Sequence, residues 1–414
     1  MTPAEQHMAV RNEQGLSRQL SSAKQMTMAL GGAIGTGLFL ASGLAVSAAG
    51  PAVIVSYVIM AGVSLLLGRA LSQMAVAHPT AGAFGVYAEM YVSPFAGYAV
   101  RVSYWLMEVI ATGGQLVAAS IYMTFWFPSV PSAVWVLAFA VLAMALMYLN
   151  SRAVGRLGAI EYWLVMIKVI ALALFAGLGV LLLFGAIGEP VIRLSHLTAH
   201  GGFMPLGAKG IWFGCCFVIY SFIGVEIVGV TSGEASDPAR TIPRAMRRLV
   251  LGLSAIYIAT IALLMALTPW DRLGVDKSPF VAVLTRHGIP SAVVGAMNFV
   301  VLSAALSSAN ANLYLISRTL FSLSRAGFVP PALGTVTRHG APVNALLVSS
   351  IPLGAAVVVQ ALWPESAYVW IFSISLFGAL FVWLMIFATH IAFRRPAHPL
   401  GSYAGAAVIF GLLG

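Results

Sequence analysis

Charged residues are scarce in this chain. Asp, Glu, Lys and Arg make up only 8% of its 414 residues, whereas a typical soluble domain contains about 25%. Hydrophobic residues make up 60%, which is more apolar surface than a soluble fold of this size can hide from water. The composition therefore excludes a soluble globular protein and indicates a chain that lies in lipid.

Cysteine is scarce too. The two cysteines, Cys215 and Cys216, are adjacent within an apolar run. Neighbouring residues on a helix point in different directions, so we expect no disulfide between them, and their spacing is not that of metal ligands. We interpret both as small packing residues and predict no metal site and no cofactor.

Enzyme signatures are also missing from the sequence. It contains no Walker A motif, no His-Glu-x-x-His motif and no Gly-x-Ser-x-Gly motif. The glycine-rich run at 31–37 lies in an apolar segment and not after a strand, so it is not a dinucleotide-binding fingerprint. The sequence therefore predicts a protein that is not an enzyme.

Positive charge is unevenly distributed along the chain. The net charge is +10, but most Lys and Arg residues fall in one set of loops and helix ends that includes the N-terminal segment. By the positive-inside rule this set is cytoplasmic. The basic balance therefore indicates topology and not a nucleic-acid partner. We expect a multi-pass protein of the cytoplasmic membrane with its N-terminus in the cytoplasm.

Long hydrophobic runs fill most of the sequence. A membrane-spanning helix needs about 20 apolar residues, and the pattern predicts spans near 25–48, 52–76, 97–124, 132–150, 159–185, 211–232, 249–268, 290–323, 343–362 and 366–392. An eleventh begins near 402 and stops at Gly414, so we expect a fragment or a truncated product. The prediction divides the chain into a cytoplasmic tail at 1–24, a transmembrane core at 25–392, and a cytoplasmic loop with the start of span eleven at 393–414.

Two glycine-containing interruptions lie inside these spans, one from Gly31 to Gly37 and one from Tyr220 to Glu226. In lipid every backbone polar group needs a partner, so irregular backbone persists only where it lines a cavity. Corresponding broken segments in two halves of a chain indicate a transporter binding site. Five spans in each half would insert with opposite orientation. We therefore predict an all-α polytopic bundle, a five-plus-five inverted repeat with broken first and sixth spans.

The first interruption has the chemistry of a carboxylate site. Glycine adopts backbone conformations that other residues avoid. If the helix opens here, the amides near Thr36 and Gly37 and the positive end of the helix dipole favour a carboxylate. The alternative is close packing of helices through small residues.

The second interruption and the fifth and eighth spans carry the polar groups at membrane depth. Freed carbonyls around Tyr220 can accept hydrogen bonds from an ammonium group, and Glu226 is either a gate or brace for the broken helix or a direct ligand. Lys168 lies about 14 Å into its span. It either exchanges a proton during transport or is a permanently charged brace to carbonyls of the first span. Ser307 and Ser308 either contribute to the site or bond neighbouring helices.

The chain resembles an amino acid permease of the amino acid–polyamine–organocation superfamily, in the branch of bacterial and fungal amino acid transporters. The resemblance is carried by ordered matches along nearly the whole chain: Ala29-Leu30-Gly31-Gly32-Ala33-Ile34-Gly35-Thr36-Gly37-Leu38-Phe39, Ala75-Val76-Ala77-His78-Pro79, Tyr104-Trp105, Gly224-Val225-Glu226, Gly233-Glu234-Ala235, Asp237-Pro238, Ile242-Pro243-Arg244-Ala245, Ser278-Pro279-Phe280 and Asn298 to Ala305. These motifs are specific for the family and weak for the substrate.

The resemblance implies a LeuT-like fold, with twelve spans in full-length members, and a set of site residues. The substrate carboxylate would meet the first break, and the amine would meet carbonyls around both breaks. The implied binding residues are Ile34, Gly35, Thr36, Gly37, Tyr220, Ser221 and Ile223, with Phe222 closing over the substrate. Lys168 would stand where sodium-coupled relatives hold a sodium ion, near Ser307 and Ser308, which favours proton coupling.

Two amides depart from the family pattern. Family members commonly carry Glu where this chain has Gln73 and Gln115, and an amide cannot exchange a proton at neutral pH. Proton coupling through those two positions is therefore in doubt. Glu108 lies seven residues before Gln115 on roughly the same face of its helix and is a candidate to replace part of that function.

The sequence as a whole predicts a proton-coupled amino acid importer that works by alternating access around the two breaks. The small number of charged residues near the breaks favours a substrate with a neutral side chain. One alternative is an exchanger without net proton movement, which Gln73 and Gln115 would suit. Another is a non-transporting amino acid sensor or an inactive truncated product. The amino acid and the oligomeric state stay open.

Overall fold

The structure is a computed structural model that describes residues 22–80, 82–152, 154–186, 195–198, 200–234, 237–337, 342–394 and 399–413. Every regular element within these ranges is a helix. Eight helical stretches among the described residues are long and apolar enough to cross a membrane. The predicted all-α polytopic bundle is therefore confirmed. Residues 1–21 of the predicted tail lie outside the described part of the chain.

The first half of the chain begins with an interrupted span. Its three pieces are α1 (Ser22–Ala33), α2 (Thr36–Phe39) and α3 (Ser42–Ala49). The helices that follow are α4 (Val53–Ala77), the short α5 (Ala83–Tyr91), α6 (Pro94–Met123), α7 (Ser132–Arg152) and α8 (Val154–Leu183).

The second half also begins with an interrupted span, formed by α9 (Gly207–Phe222) and α10 (Ile227–Val230). The helices that follow are α11 (Pro238–Leu267), the short α12 (Pro279–Arg286), α13 (Ser291–Arg325), α14 (Val343–Ser350), α15 (Leu353–Leu362) and α16 (Ala367–Phe393). Helix α17 (Leu400–Leu413) follows in the region of the predicted eleventh span. Both predicted interruptions are present.

Two spans differ in extent from the sequence prediction. Helix α11 begins at Pro238 and not near 249, because Asp237 caps it by accepting a hydrogen bond from the Arg240 amide (3.4 Å) and proline suits the first helical position. The arginines between 238 and 249 therefore lie on the first turns of this helix. The ninth span is split into α14 and α15 around Pro352, whose ring nitrogen cannot donate a helical hydrogen bond.

Helix α6 lies at the centre of the bundle. It packs against α13 and α16, while α4 packs against α11. A partly buried ion pair fixes one end of α6: the Arg101 guanidinium contacts the Glu89 carboxylate of α5 at 2.8 Å and donates to the Ser322 hydroxyl of α13 at 3.0 Å. Removing Glu89 would leave the buried Arg101 charge without this carboxylate. The central helix is thus anchored to two of its neighbours by charge-assisted bonds.

Helix α8 has one face on the outside of the bundle and one face in its interior. Leu174 on its outer face is 68% exposed, whereas Lys168 on its inner face is fully buried. An exposed apolar surface of this kind is expected where the surroundings are lipid tails. The helix therefore presents its charged residue to the protein interior, where partners exist.

Candidate functional site

The first break is an opening of the backbone between α1 and α2. Helix α1 ends at Ala33, and Ile34 and Gly35 lead to the start of α2 at Thr36. The Thr36 amide donates to the Oε1 atom of Gln115 on α6, 3.3 Å away. The first amides of a helix have no intrahelical partner, so Gln115 satisfies one donor that the break creates. Gln115 therefore reaches the break, and its effect on proton coupling stays a prediction.

The second break depends on a glycine and a carboxylate. Between α9 and α10 the chain passes through Gly224, whose φ of 105° is a conformation that L residues with a side chain avoid. The Gly224 amide donates to Oε1 of Glu226 at 3.0 Å. Glu226 is 1% exposed. This contact corresponds to the brace among the roles considered for Glu226.

The two breaks lie directly against each other. A Cβ atom at Gly37 would come within 2.7 Å of the Tyr220 carbonyl oxygen, and one at Gly224 would come within 2.8 Å of the Ala33 amide nitrogen. Separations below about 3 Å are not compatible with a real side chain. The glycines at these two positions therefore permit backbone to approach backbone, and they bring the end of α9 to the start of α2.

Lys168 and Ser308 hold the end of α1. The Lys168 ammonium donates to the Gly31 carbonyl at 2.9 Å, and the Ser308 hydroxyl donates to the same carbonyl at 2.9 Å and to the Gly32 carbonyl at 3.2 Å. The last carbonyls of a helix lack intrahelical partners, so α8 and α13 supply the missing donors. Ser307 is buried one residue earlier on α13.

Gly35 lies where three elements meet. A side chain added at Gly35 would overlap the Ser308 hydroxyl and would come within 3.2 Å of the Gln115 amide nitrogen. Because Gly35 has no side chain, the space between α6, α13 and the first break stays open. Any bulky residue here would fill the break.

The aromatic residues of the second break face the protein interior. The Phe222 ring is fully buried and packs against Tyr57 and Tyr257, with ring centroids 6.5 Å and 5.5 Å apart. The Tyr57 and Ser221 hydroxyls are 3.1 Å apart, and the Tyr257 hydroxyl donates to the Ala33 carbonyl at 3.0 Å. Phe222 therefore lies between α4 and α11 in this conformation, and its closure over substrate stays a prediction.

Several buried hydroxyls around the first break have no hydrogen-bond partner among the described residues. They are Oγ1 of Thr36 and the phenol groups of Tyr122 and Tyr368. Tyr368 lies near Tyr122, Tyr220 and Thr36. The rings of Tyr220 and Phe372 pack together at a tilt, with their centroids 4.4 Å apart. Unsatisfied polar atoms are costly inside a membrane, so this group is suited to a polar ligand.

Two buried carboxylates, Glu108 and Glu226, lie near this group. Each is 1% exposed. The two side chains interact electrostatically, and the Tyr104 phenol lies beside Glu108. Tyr220 is within range of Glu108, and the Trp383 indole lies beside Glu226. No lysine or arginine forms an ion pair with either carboxylate in the described part of the chain.

Sequence reasoning missed part of this arrangement. The predicted site residues do not include Tyr57, Tyr257, Tyr368 or Trp383, which lie within hydrophobic spans. The only available signal was that a phenol at membrane depth needs a partner for its hydroxyl. Gln73, by contrast, lies away from the breaks and accepts from the His390 ring at 2.9 Å. In the described residues, no cluster of three His, Cys, Asp or Glu residues could hold a metal ion.

Comparison with known proteins gives the family. The family model for amino acid permeases matches residues 25–401. An uncharacterized amino acid permease, YtnA of Bacillus subtilis (strain 168), is 36% identical over 391 residues, covering 94% of this chain and 84% of the relative. The aromatic amino acid transport protein AroP of Escherichia coli (strain K12) is 38% identical over 386 residues, covering 93% and 84%.

A third relative extends the pattern. AroP of Salmonella typhimurium (strain LT2) is 36% identical over 386 residues, with the same coverage of 93% and 84%. Family members and these relatives are transporters and not enzymes. With its membrane-length helices, the chain belongs to the amino acid permease family of the amino acid–polyamine–organocation superfamily, as the sequence resemblance implied.

Proposed function

We propose that this permease carries an amino acid with a neutral side chain across the cytoplasmic membrane, together with a proton, by alternating access around its two breaks. The observation that carries the proposal is the direct apposition of the breaks at Gly37 and Tyr220. Amide donors of the first break then lie beside carbonyl acceptors at the end of α9. A zwitterion needs both within the length of one small molecule.

Each end of the substrate has a complementary partner in this arrangement. The carboxylate would accept hydrogen bonds from the Gly37 amide and the Thr36 hydroxyl, since the Gly35 and Thr36 amides already donate to the Ala33 carbonyl and to Gln115. The ammonium would donate to carbonyls near Tyr220 and Ile223. Helix ends supply partial charges here without the desolvation cost of buried ionised side chains. Ser221 contributes from the side, through its contact with Tyr57.

Aromatic amino acids are the substrates we propose to be carried first. Tyr220, Phe372 and Tyr368 form a group of rings beside the breaks, with centroids 4.4 Å and 5.9 Å apart between successive members. Aromatic side chains pack favourably against such rings. Relatives named for aromatic amino acid transport are 36–38% identical to this chain. Both observations support this substrate class over small aliphatic amino acids.

The pair Glu108 and Glu226 supports proton coupling. Two buried carboxylates that interact electrostatically in a low-dielectric interior cannot both be negative without a large penalty, unless a cation lies near them. No lysine or arginine forms an ion pair with them in the described residues, so protonation of one carboxylate is the available way to lower the charge of the pair. A proton site next to the second break can respond to its opening. This pair would carry the coupling that Gln73 and Gln115 cannot.

Lys168 is proposed as a second coupling residue. Its ammonium is bonded to the end of α1, so loss of its proton would remove the charge from that hydrogen bond and weaken the hold on the first break. Together with Ser308 it ties the conformation of the break to α8 and α13. Substrate at the break and charge at Lys168 would thus act on the same backbone carbonyl.

Uptake into proteoliposomes tests the proposal. Labelled Phe, Tyr, Trp, Leu, Ser, Lys and Glu are offered with and without an inward proton gradient. Accumulation of aromatic amino acids that requires the gradient is the expected result. Uptake that requires internal amino acid and ignores the gradient would indicate an exchanger, and binding without flux would indicate a sensor. Either of these results would overturn proton-coupled transport.

A further inference from the structure

A groove far from the breaks combines positive charge with an apolar wall. It lies between α4, α11 and the end of α16 and has a volume of about 820 Å³. Ligand sites in proteins span about 300–1,000 Å³, so the groove is large enough for part of a lipid. Its wall includes Leu65, Val250 and Phe393, and no Asp or Glu among the described residues lines it.

Three arginines line this groove, namely Arg69, Arg247 and Arg394. All three are exposed, and none has a hydrogen-bond or ion-pair partner among the described residues. Arg69 and Arg394 also line a second, smaller cavity of about 330 Å³ beside the groove. Three unpaired guanidinium groups around one opening repel each other, so an anion that binds there is stabilised.

Two of these arginines lie on the helices and not in the loops beside them. Arg69 is eight residues before the end of α4 at Ala77, and Arg247 is nine residues after the start of α11 at Pro238. At the helical rise these separations are about 12 Å and about 14 Å. Arg69 lies within the predicted span 52–76, where an arginine is costly without a polar partner. Arg247 lies just before the predicted span 249–268.

Ser72 adds a second, independent observation. Its side chain is 5% exposed and lines the same groove, and its hydroxyl has no hydrogen-bond partner within the described ranges. A buried hydroxyl without a partner loses its hydration with no compensation. A phosphate oxygen in the groove would accept from Ser72 and from the arginines together.

Two backbone features lie in the wall of the groove. Gly68 of α4 lies against Met246 of α11, where an added Cβ atom would come within 2.8 Å of the Met246 side chain. One turn away, Pro243 stands inside α11 and has no amide hydrogen for the Ala239 carbonyl. Both Ala239 and Pro243 line the groove. Gly68 therefore permits close contact of the two helices beside the arginines.

We propose that this groove binds an anionic phospholipid, with the phosphate of the headgroup on Arg69, Arg247, Arg394 and Ser72 and an acyl chain along the apolar wall. Basic pockets between spanning helices on the cytoplasmic side recognise anionic headgroups. The combined charge and apolar wall favour an amphipathic anion over free phosphate. The groove does not include any residue of the two breaks, so lipid binding is separate from substrate binding.

Native mass spectrometry of the full chain tests this proposal. The wild type and the double variants R69Q/R394Q and R244Q/R248Q are each reconstituted in phosphatidylcholine vesicles that also contain phosphatidylglycerol. The lipids retained by each protein are then compared. The second double variant is the matched control, because Arg244 and Arg248 are exposed arginines of α11 that do not line the groove. We expect the wild type and R244Q/R248Q to retain phosphatidylglycerol and R69Q/R394Q to lose it at least several-fold.

Three outcomes would overturn the proposal. An equal loss in both double variants would show only diffuse attraction to basic residues. Equal retention of phosphatidylcholine would show an apolar groove without headgroup recognition. Displacement of phosphatidylglycerol by inorganic phosphate would show a site for a soluble anion. A melting temperature of R69Q/R394Q equal to that of the control in phosphatidylcholine establishes that the variant is folded.

Discussion

The Lys168 ammonium donates a hydrogen bond to the Gly31 carbonyl, 2.9 Å away, at the end of the helix that the first break terminates. A charge on one span is thus bonded to the backbone of another at the point where that backbone leaves its helix. Any change in the charge of Lys168 acts on the first break directly. This contact links the proton side of the proposed cycle to the substrate side.

Lys168→Ala should abolish concentrative uptake and leave the protein folded. The substitution removes the donor to Gly31, while Ser308 retains the same carbonyl and limits the structural loss. Uptake driven by a proton gradient and the melting temperature are measured together. The control is Ile170→Ala on the exposed face of the same helix. Full accumulation by Lys168→Ala would end the proposed role of this residue.

Gly35→Leu should block substrate binding. The new side chain would occupy the space shared by Ser308, Gln115 and the first break. Binding of labelled substrate to purified protein is the measurement. Gly62→Leu serves as control, because a Cβ atom at Gly62 meets no atom within 4 Å. Undiminished binding by Gly35→Leu would favour helix packing as the reason for this glycine.

Gly224→Ala should lower stability by about 1–3 kcal/mol, the usual cost of a residue held in a sparsely populated backbone region. Alanine would be strained at a φ of 105° and would press on the Ala33 amide nitrogen. Thermal unfolding in detergent is followed for this variant and for Gly62→Ala. We expect the control to be unchanged or slightly stabilised, because Gly62 lies in a helix interior. Equal melting temperatures for the two variants would contradict the strained break.

Glu108→Gln should uncouple transport without preventing it. An amide does not take up a proton at neutral pH, so substrate accumulation under a proton gradient should fall to the level of equilibration. Exchange of labelled for unlabelled substrate should continue, because the breaks themselves are unchanged. Glu365→Gln, at an exposed position, is the control. If the wild type accumulates substrate and the Glu108→Gln variant does so equally, the carboxylate pair is excluded as the proton site.

The sequence was sufficient to predict both breaks and an all-α bundle of membrane-length helices. Hydrophobic length and glycine placement are local properties, and the membrane forbids most other uses of glycine-rich backbone. A contact of Lys168 with the first span was one of the two roles predicted for this residue. Both roles follow from its depth in the span, which is known from its position in the sequence.

Other features of the site depend on the rotation of one helix against another. Glu108 and Glu226 are 118 positions apart, and nothing in either span indicates that their side chains interact. The same holds for Tyr368 beside Thr36 and for the groove that Pro243 lines. Aromatic residues add to hydropathy whichever way they point, so their hydroxyl groups were not predicted as site residues. Tertiary packing decides all of these contacts.

Accumulation of a labelled aromatic amino acid in proteoliposomes tests the central claim most directly. A membrane potential of about 100 mV, negative inside, is worth about 2.3 kcal/mol for each proton that enters, enough for an accumulation of about 50-fold. We predict accumulation well above equilibration, and its abolition by a protonophore. Uptake that stops at equilibration in well-folded wild-type protein, with or without the gradient, would contradict proton-coupled transport.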